Sequence, residues 1–390
     1  MLELDAGLEF KPEDDEEFFS LLPERPAVCL IEAHEEKAAP HLIRTANLRN
    51  RLKRLLGPID PTSKRLNLRE FARVVRYRVT NSAFEQSLTY YNLARQHFPK
   101  RYRDMMRLRP SPVLKINLKN AYPRCYVTRH ISVNEQGVPT GGIYYGPFAS
   151  RRAAQVYADS VLDFFKVRRC QIKIRRDPTF PGCLYSEMKM CLAPCFAGCS
   201  KEEYDVEVNR LVGFLETGGT SLRANFEQER ERASEDLDFE RAAAIHKKLG
   251  KLDDALRAGP EVARRVQDLD AVILQSMAEE QTIGIFGVRG GRLAEPFALR
   301  FGDTSQPRSA EEAVRDYLEA MMSAAPGGAT PRQLATELGE HLRLVARWFY
   351  SNPREGEIFF REKDWPYRRI LRGCSRLLAP PKEEANELSK

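Results

Sequence analysis

Three observations predict a multidomain α/β protein. Strand-like and helix-like apolar periodicities interleave along the chain, Gly-Pro and Gly-Gly pairs cut it into blocks, and 390 residues exceed what one core usually holds. With 30% charged and 42% hydrophobic residues, the composition fits a soluble globular protein. No run of eighteen apolar residues occurs, and an N-terminus carrying Glu3, Asp5, Glu9 and an acidic stretch from Glu13 to Glu17 lacks the basic-then-apolar order of a signal peptide. The expectation is a cytoplasmic protein without a membrane partner, whose thiols stay reduced. The net charge of +7 is unevenly placed, because the first residues are acidic while Arg44 to Arg109 is dense in Arg and Lys. That asymmetry suits a phosphate-facing surface, and also an ordinary solvated face.

The elements follow in order. Val28-Cys29-Leu30-Ile31-Glu32 and Pro40-His41-Leu42-Ile43-Arg44 read as short strands joined by a polar turn. From Asn47 to Leu56, Leu48, Leu52 and Leu55 line one helical face, and Gly57-Pro58 stops the helix. Ala72 to Val79 reads as a strand. Asn81-Ser82 offers a cap for a helix from Ala83 to Phe98, which Pro99 closes. Residues 17–105 thus form a small α/β domain.

Val113 to Ser150 alternates as strands do, and Ala153 to Phe165 reads as an amphipathic helix leading into a cysteine block. Together they make a strand, helix and Cys-rich module at 106–200. Lys201 to Leu215, Ser221 to Ser234 and Asp238 to Leu256 are helical stretches within 201–258. The last two read as a hairpin, 222–257, turning at Glu235 to Leu237. Beyond Gly259-Pro260, Ala271 to Gln275, Thr282 to Val288 and Arg292 to Phe301 are strand-like, Gly290-Gly291 is a hairpin turn, and Ala310 to Met322 is a helix, giving a unit at 261–325. Gly327-Gly328 reads as a flexible joint, 329–390 as a helical and aromatic segment, and Pro380 onward as a charged tail. The aromatic residues around Trp348 and Trp365 suit either base stacking or core packing.

The cysteines carry the sharpest chemistry. Cys170, Cys183, Cys191 and Cys195 are spaced C-x12-C-x7-C-x3-C, and with Cys199 they put five of the eight cysteines in thirty residues. Four thiolates from one contiguous segment are compatible with zinc or an iron–sulfur cluster, although the C-x2-C hooks common in zinc sites are missing. Cys29, Cys125 and Cys374 read as packing residues. On the hairpin, Leu237 and Phe239 form an apolar edge with Glu240 at its rim, suited to docking a partner.

Taken in sequence, Leu22-Pro23-Glu24-Arg25-Pro26-Ala27-Val28, Asn47-Leu48 with Arg51, Tyr145-Gly146-Pro147-Phe148, Cys191-Leu192-Ala193-Pro194-Cys195 and Leu237-Asp238-Phe239-Glu240-Arg241-Ala242-Ala243 resemble the N-terminal two thirds of the UvrC family of bacterial excision repair. The shorter Cho-type members are the nearest match in length. The resemblance implies a GIY-YIG-type nuclease domain at 17–105 and a 4Fe-4S cluster, in preference to zinc, on Cys170, Cys183, Cys191 and Cys195. It also implies a UVR hairpin whose Leu237, Phe239 and Glu240 meet a UvrB-like protein, DNA as the other partner, and an RNase H-like start at 261–325 that ends before its Asp-Ile-Ser-His motif.

Laid on the family's nuclease pattern, the chain departs from it. Cys29 and His41 stand at the two tyrosines, Ile43 at the glycine after the second, Arg44 at a lysine, and Arg51 at the conserved-pattern arginine. Tyr90 falls at the metal-binding glutamate. Magnesium needs hard oxygen ligands, so the resemblance with these replacements implies a lost Mg2+ site. Glu85, five positions earlier on the helix, lies off the Tyr90 face. Two expectations follow. Arg44, Arg49, Arg51, Lys53 and Arg54 hold a DNA backbone at a degenerate site, or replacement residues, with His41 as general base, still cut.

Overall fold

The computed structural model describes residues 4–35, 38–58, 62, 64–302, 309–324 and 328–379. Gly327 and the tail from Pro380 lie outside the described residues.

The N-terminal unit runs β1 (Ala6–Glu9), α1 (Asp15–Leu21), β2 (Ala27–Ala33), β3 (His41–Thr45), α2 (Leu48–Leu56), β4 (Ala72–Val79), α3 (Ala83–His97) and a single turn α4 (Tyr102–Met105). Its sheet has the order β1-β4-β2-β3, with every pairing antiparallel. The helices start where the sequence places caps. Asn47 accepts from the Asn50 amide, and the Ser82 hydroxyl accepts from the Glu85 amide. The sheet buries both faces. Cys29, Ile31 and Ile43 point into a core with Phe10, Phe18, Phe19 and the α2 leucines, whereas Val28, Leu30 and Leu42 point toward Phe84, Tyr90 and Tyr91 of α3.

The middle unit contains β5 (Val113–Ile116), β6 (Cys125–Thr128), β7 (Ser132–Val133), β8 (Pro139–Thr140), β9 (Ile143–Gly146), α5 (Arg151–Leu162) and α6 (Leu184–Glu187), then α7 (Lys201–Glu216), α8 (Thr220–Glu235) and α9 (Phe239–Ala258). Helices α8 and α9 form the expected antiparallel hairpin, and Leu222, Phe226, Ile245, Leu249 and Leu252 join the core beneath α5 and α7. A short β10 (Arg264–Arg265) then extends the middle sheet, giving β10-β9-β5-β6.

The last unit holds β11 (Ala271–Ser276), β12 (Thr282–Arg289), β13 (Arg292–Leu293), β14 (Phe297–Arg300), α10 (Ala310–Ser323), α11 (Pro331–Phe349), β15 (Glu357–Phe360) and α12 (Tyr367–Leu378). Gly290 and Gly291 turn the β12–β13 hairpin at φ 52° and 77°, a backbone region that favours glycine. Strand β15 pairs with β11 from Ala271 opposite Phe360 to Leu274 opposite Glu357, so residues beyond 329 share one antiparallel sheet with 271–300. Trp348 and Trp365 are buried, and the Trp348 indole N–H donates to the Glu355 carbonyl at 2.8 Å, which places both rings in the core and away from any base-stacking role.

Helix α11 locks the units together. Its Leu334, Leu338, Leu342 and Val345 lie in one core with Leu30 and Tyr91 of the first unit, Val133 and Tyr144 of the second and Ile273 of the third. Glu340, 2% exposed, accepts from the hydroxyls of Tyr91 at 2.8 Å and Tyr102 at 2.9 Å and from Arg103 Nε at 2.7 Å. A buried carboxylate is tolerated only with partners of this kind.

Candidate nucleic-acid interface and partner surface

Strand β3 lies at the edge of the first sheet, and alternation along it divides the candidate site. Cys29 opposes Ile43 and Ile31 opposes His41, so Cys29 and His41 share the α2 face. Arg44 lies on the other face, its guanidinium 5.4 Å from the centre of the Tyr90 ring on α3. The predicted residues therefore fall into two groups: His41 with Arg51, and Arg44 with Tyr90.

Their electrostatics follow from that placement. Burial lowers the His41 pKa below its usual value, and the Arg51 charge lowers it further, so the imidazole is neutral at neutral pH. Burial raises the Tyr90 hydroxyl, with Arg44 opposing to a lesser extent. Cys29 is fully buried and its thiol is pushed far up by desolvation, which leaves it inert. Glu85, 1% exposed, accepts from the Asn81 amide at 3.1 Å and pairs with Arg78 at 3.4 Å, so it is committed at the start of α3.

Among the expected phosphate contacts, Arg44, Arg51, Lys53 and Arg54 are exposed. Arg49 is not free for a backbone phosphate. It donates to the Leu22 carbonyl at 2.7 Å and the Ser20 carbonyl at 3.1 Å and pairs with Glu24 at 2.6 Å, which clamps α2 to the segment before β2.

All eight cysteines are unpaired thiols. Cys29, Cys125 and Cys374 are buried, as expected of packing residues, and burial pushes the Cys125 thiol up to about 12. Cys191 rises to about 11, first through burial and then through the nearby Cys170, Cys195 and Cys183, against an opposing hydrogen bond from the Ala193 amide. Arg168 Nη1 lies 3.7 Å from Cys170 Sγ. Cys170, Cys183 and Cys195 are thus near enough to act electrostatically on Cys191, and N–H donors reach the sulfurs of Cys191 and Cys170. Among the described residues, no three or more His, Cys, Asp or Glu side chains already stand in a metal-holding group.

On the hairpin, the Asp238 carboxylate caps α9 by accepting from the Arg241 amide. The turn exposes its two apolar residues: Leu237 is 71% exposed and Phe239 69% exposed. Leu237 also sits at φ 58°, a left-handed conformation costly for a branched side chain. An exposed pair on a strained turn has no role in the chain's own core.

Residues 111–214 match the family described as the UvrC/Cho excinuclease middle domain. The UvrABC system protein C of Carboxydothermus hydrogenoformans is 30% identical over 70% of this chain and 43% of its own length. Those of Acetivibrio thermocellus and Clostridium tetani are 24% and 25% identical over 88% and 78% of this chain, and 55% and 49% of theirs. The chain is related to the UvrC family. It spans about half the length of the curated UvrC relatives it matches, and no solved structure matches it. Among the described residues no helix is long and apolar enough to cross a membrane. The family's middle domain covers β5 to α7 and so includes the cysteine block. The Glu340 cluster and, on α11, Arg332 and Arg343 went unread in the sequence; an acid inside the apolar stripe of an amphipathic helix is the signal that marks such a cluster.

Proposed function

We propose that this chain is a UvrC-like protein of nucleotide excision repair that binds DNA and a UvrB-type partner, while its GIY-YIG-type site no longer cuts. The observation that carries the reading is Arg44 standing over Tyr90. Where the family pattern has a metal-binding glutamate, this chain has a protonated phenol under a guanidinium, and that pair does not fit a magnesium ion, which needs carboxylate oxygen. Without a metal the leaving alkoxide loses its main stabiliser. The exposed Arg44, Arg51, Lys53 and Arg54 retain phosphate-binding chemistry, which is independent of base sequence.

The cysteine neighbourhood supports a 4Fe-4S cluster held by Cys170, Cys183, Cys191 and Cys195, with zinc as the alternative. Thiolate donors suit either group, and amide and guanidinium N–H groups near sulfur are the interactions that tune a cluster. The hairpin end, with Leu237, Phe239 and the rim Glu240, supports docking of the UvrB-type partner.

One observation favours the other reading, an active structure-dependent endonuclease: neutral His41 beside Arg51 pairs a general base with a phosphate-stabilising cation. The test of the repair assignment is assembly on a damaged duplex. A complex of duplex, this chain and the UvrB-type partner that forms more readily on damaged than on intact DNA supports the assignment. Binding indifferent to both lesion and partner overturns it.

A further inference from the structure

The seam that α11 forms with the first two units carries basic residues that no assigned role uses. Helix α11 packs against α3, β7 and β13, and so touches all three units. Arg332, Arg343 and Arg347 are separated by eleven and four residues, which puts them on one stripe of the helix over about 22 Å. The Arg332 end of the stripe opens on a cavity of about 550 Å³ that Arg103, Arg129 and His130 also line, together with Glu340, which Arg103 pairs.

Arg343 and Arg347 are held by backbone carbonyls, and neither has a carboxylate partner among the described residues. Arg347 Nη2 donates to the carbonyls of Met106 at 3.0 Å and Arg107 at 2.7 Å. Arg343 reaches the Ala149 carbonyl at 3.5 Å, and its buried Nε has no acceptor. The acids of α11 are engaged elsewhere, Glu340 by Arg103 and Glu337 by Arg95 and Arg292. Among the described residues no ion pair joins a carboxylate to Arg129, Arg332, Arg343 or Arg347. Burial and then Arg129 hold Arg343 below its usual pKa; burial and then Arg343 and Arg44 do the same for Arg347. The chain of mutual repulsion extends from the middle unit through α11 to β3.

We propose that this seam is a DNA-backbone channel in which Arg129, Arg332, Arg343 and Arg347 continue the phosphate track begun by Arg44. Arg129, Arg343, Arg347 and Arg44 are neighbouring cations that no carboxylate pairs among the described residues, an arrangement costly in the free protein and relieved by an anion bound between them, and Arg332 extends the run at the cavity. About 22 Å matches roughly six phosphates of one duplex strand at 3.4 Å each. The proposal rests on the DNA-binding reading above and extends it to a surface formed by three units.

The test is fluorescence anisotropy of the full chain on a labelled duplex across a salt series, comparing Arg129→Gln/Arg343→Gln with Arg51→Gln/Lys53→Gln. Loss of two phosphate contacts is expected to weaken binding about tenfold or more and to reduce the log–log salt slope by about two. Arg332→Gln, at an exposed position, tests the channel without disturbing packing and is expected to reduce the slope by about one. Unchanged affinity and slope in both seam variants, with Arg51→Gln/Lys53→Gln weakened, overturns the channel alone. Absence of DNA binding by the unaltered chain overturns the channel and the DNA-binding reading together.

Discussion

Replacing Phe239 with alanine separates docking from folding. At 69% exposure the ring contributes little to the chain's own core, so the substitution is expected to change folding stability by less than about 0.5 kcal/mol. Docking is different. Covering the exposed part of a phenylalanine removes roughly 100 Å² more apolar surface than covering alanine, about 2.5 kcal/mol at 25 cal/mol per Å², or about a 60-fold weaker Kd. Leu237→Gly sharpens the contrast. Glycine relieves roughly 1 kcal/mol of left-handed strain and loses a comparable amount in unfolded-chain entropy, so Tm holds while an apolar contact disappears. Titration calorimetry against the UvrB-type partner, paired with thermal melts, reads both quantities. Phe239→Ala binding with unaltered Kd would refute the docking argument, as would a large fall in Tm.

Two further outcomes follow from α11. Glu340→Ala removes the shared acceptor of Tyr91, Tyr102 and Arg103 and is expected to cost about 3–5 kcal/mol in urea unfolding, whereas a change below about 1 kcal/mol would mean that water replaces the carboxylate. Burial lowers His341 from 6.5 to about 4, and its Nδ1 accepts from the Leu293 amide at 3.0 Å, so the unfolded chain binds a proton that the folded chain refuses. Stability is therefore intact above pH 6.5 and falls by about 3 kcal/mol as pH drops toward 4. His341→Gln is expected to flatten that acid limb, and urea titrations at several pH values with the same slope in both proteins would exclude His341 as its cause.

Much of the fold was legible locally. The caps at Asn47 and Ser82, the leucine spacing of α2 and the Gly290-Gly291 turn all lie within a few residues of what they specify, and the α8–α9 hairpin ends close to where its pattern ends. Strand β1 was missed because Ala6–Glu9 sits in acidic sequence and alternates only weakly at a sheet edge. The link between β11 and β15 was missed for another reason. Its strands are separated by three strands and two helices, and no local period records a partner so far away. The site divides along the same line. Arg51, Arg44 and Tyr90 were readable by position along the chain, but the split across two sheet faces and the commitment of Arg49 to Leu22, Ser20 and Glu24 depend on register and on neighbours distant in sequence.

The measurement that bears most directly on the central claim is strand scission on a damaged duplex by the purified chain with its UvrB-type partner, in magnesium and in manganese. With Tyr90 under Arg44 in place of a carboxylate, the account predicts retained binding and no nick in either metal. Metal-dependent nicking that disappears in Arg51→Ala would contradict it.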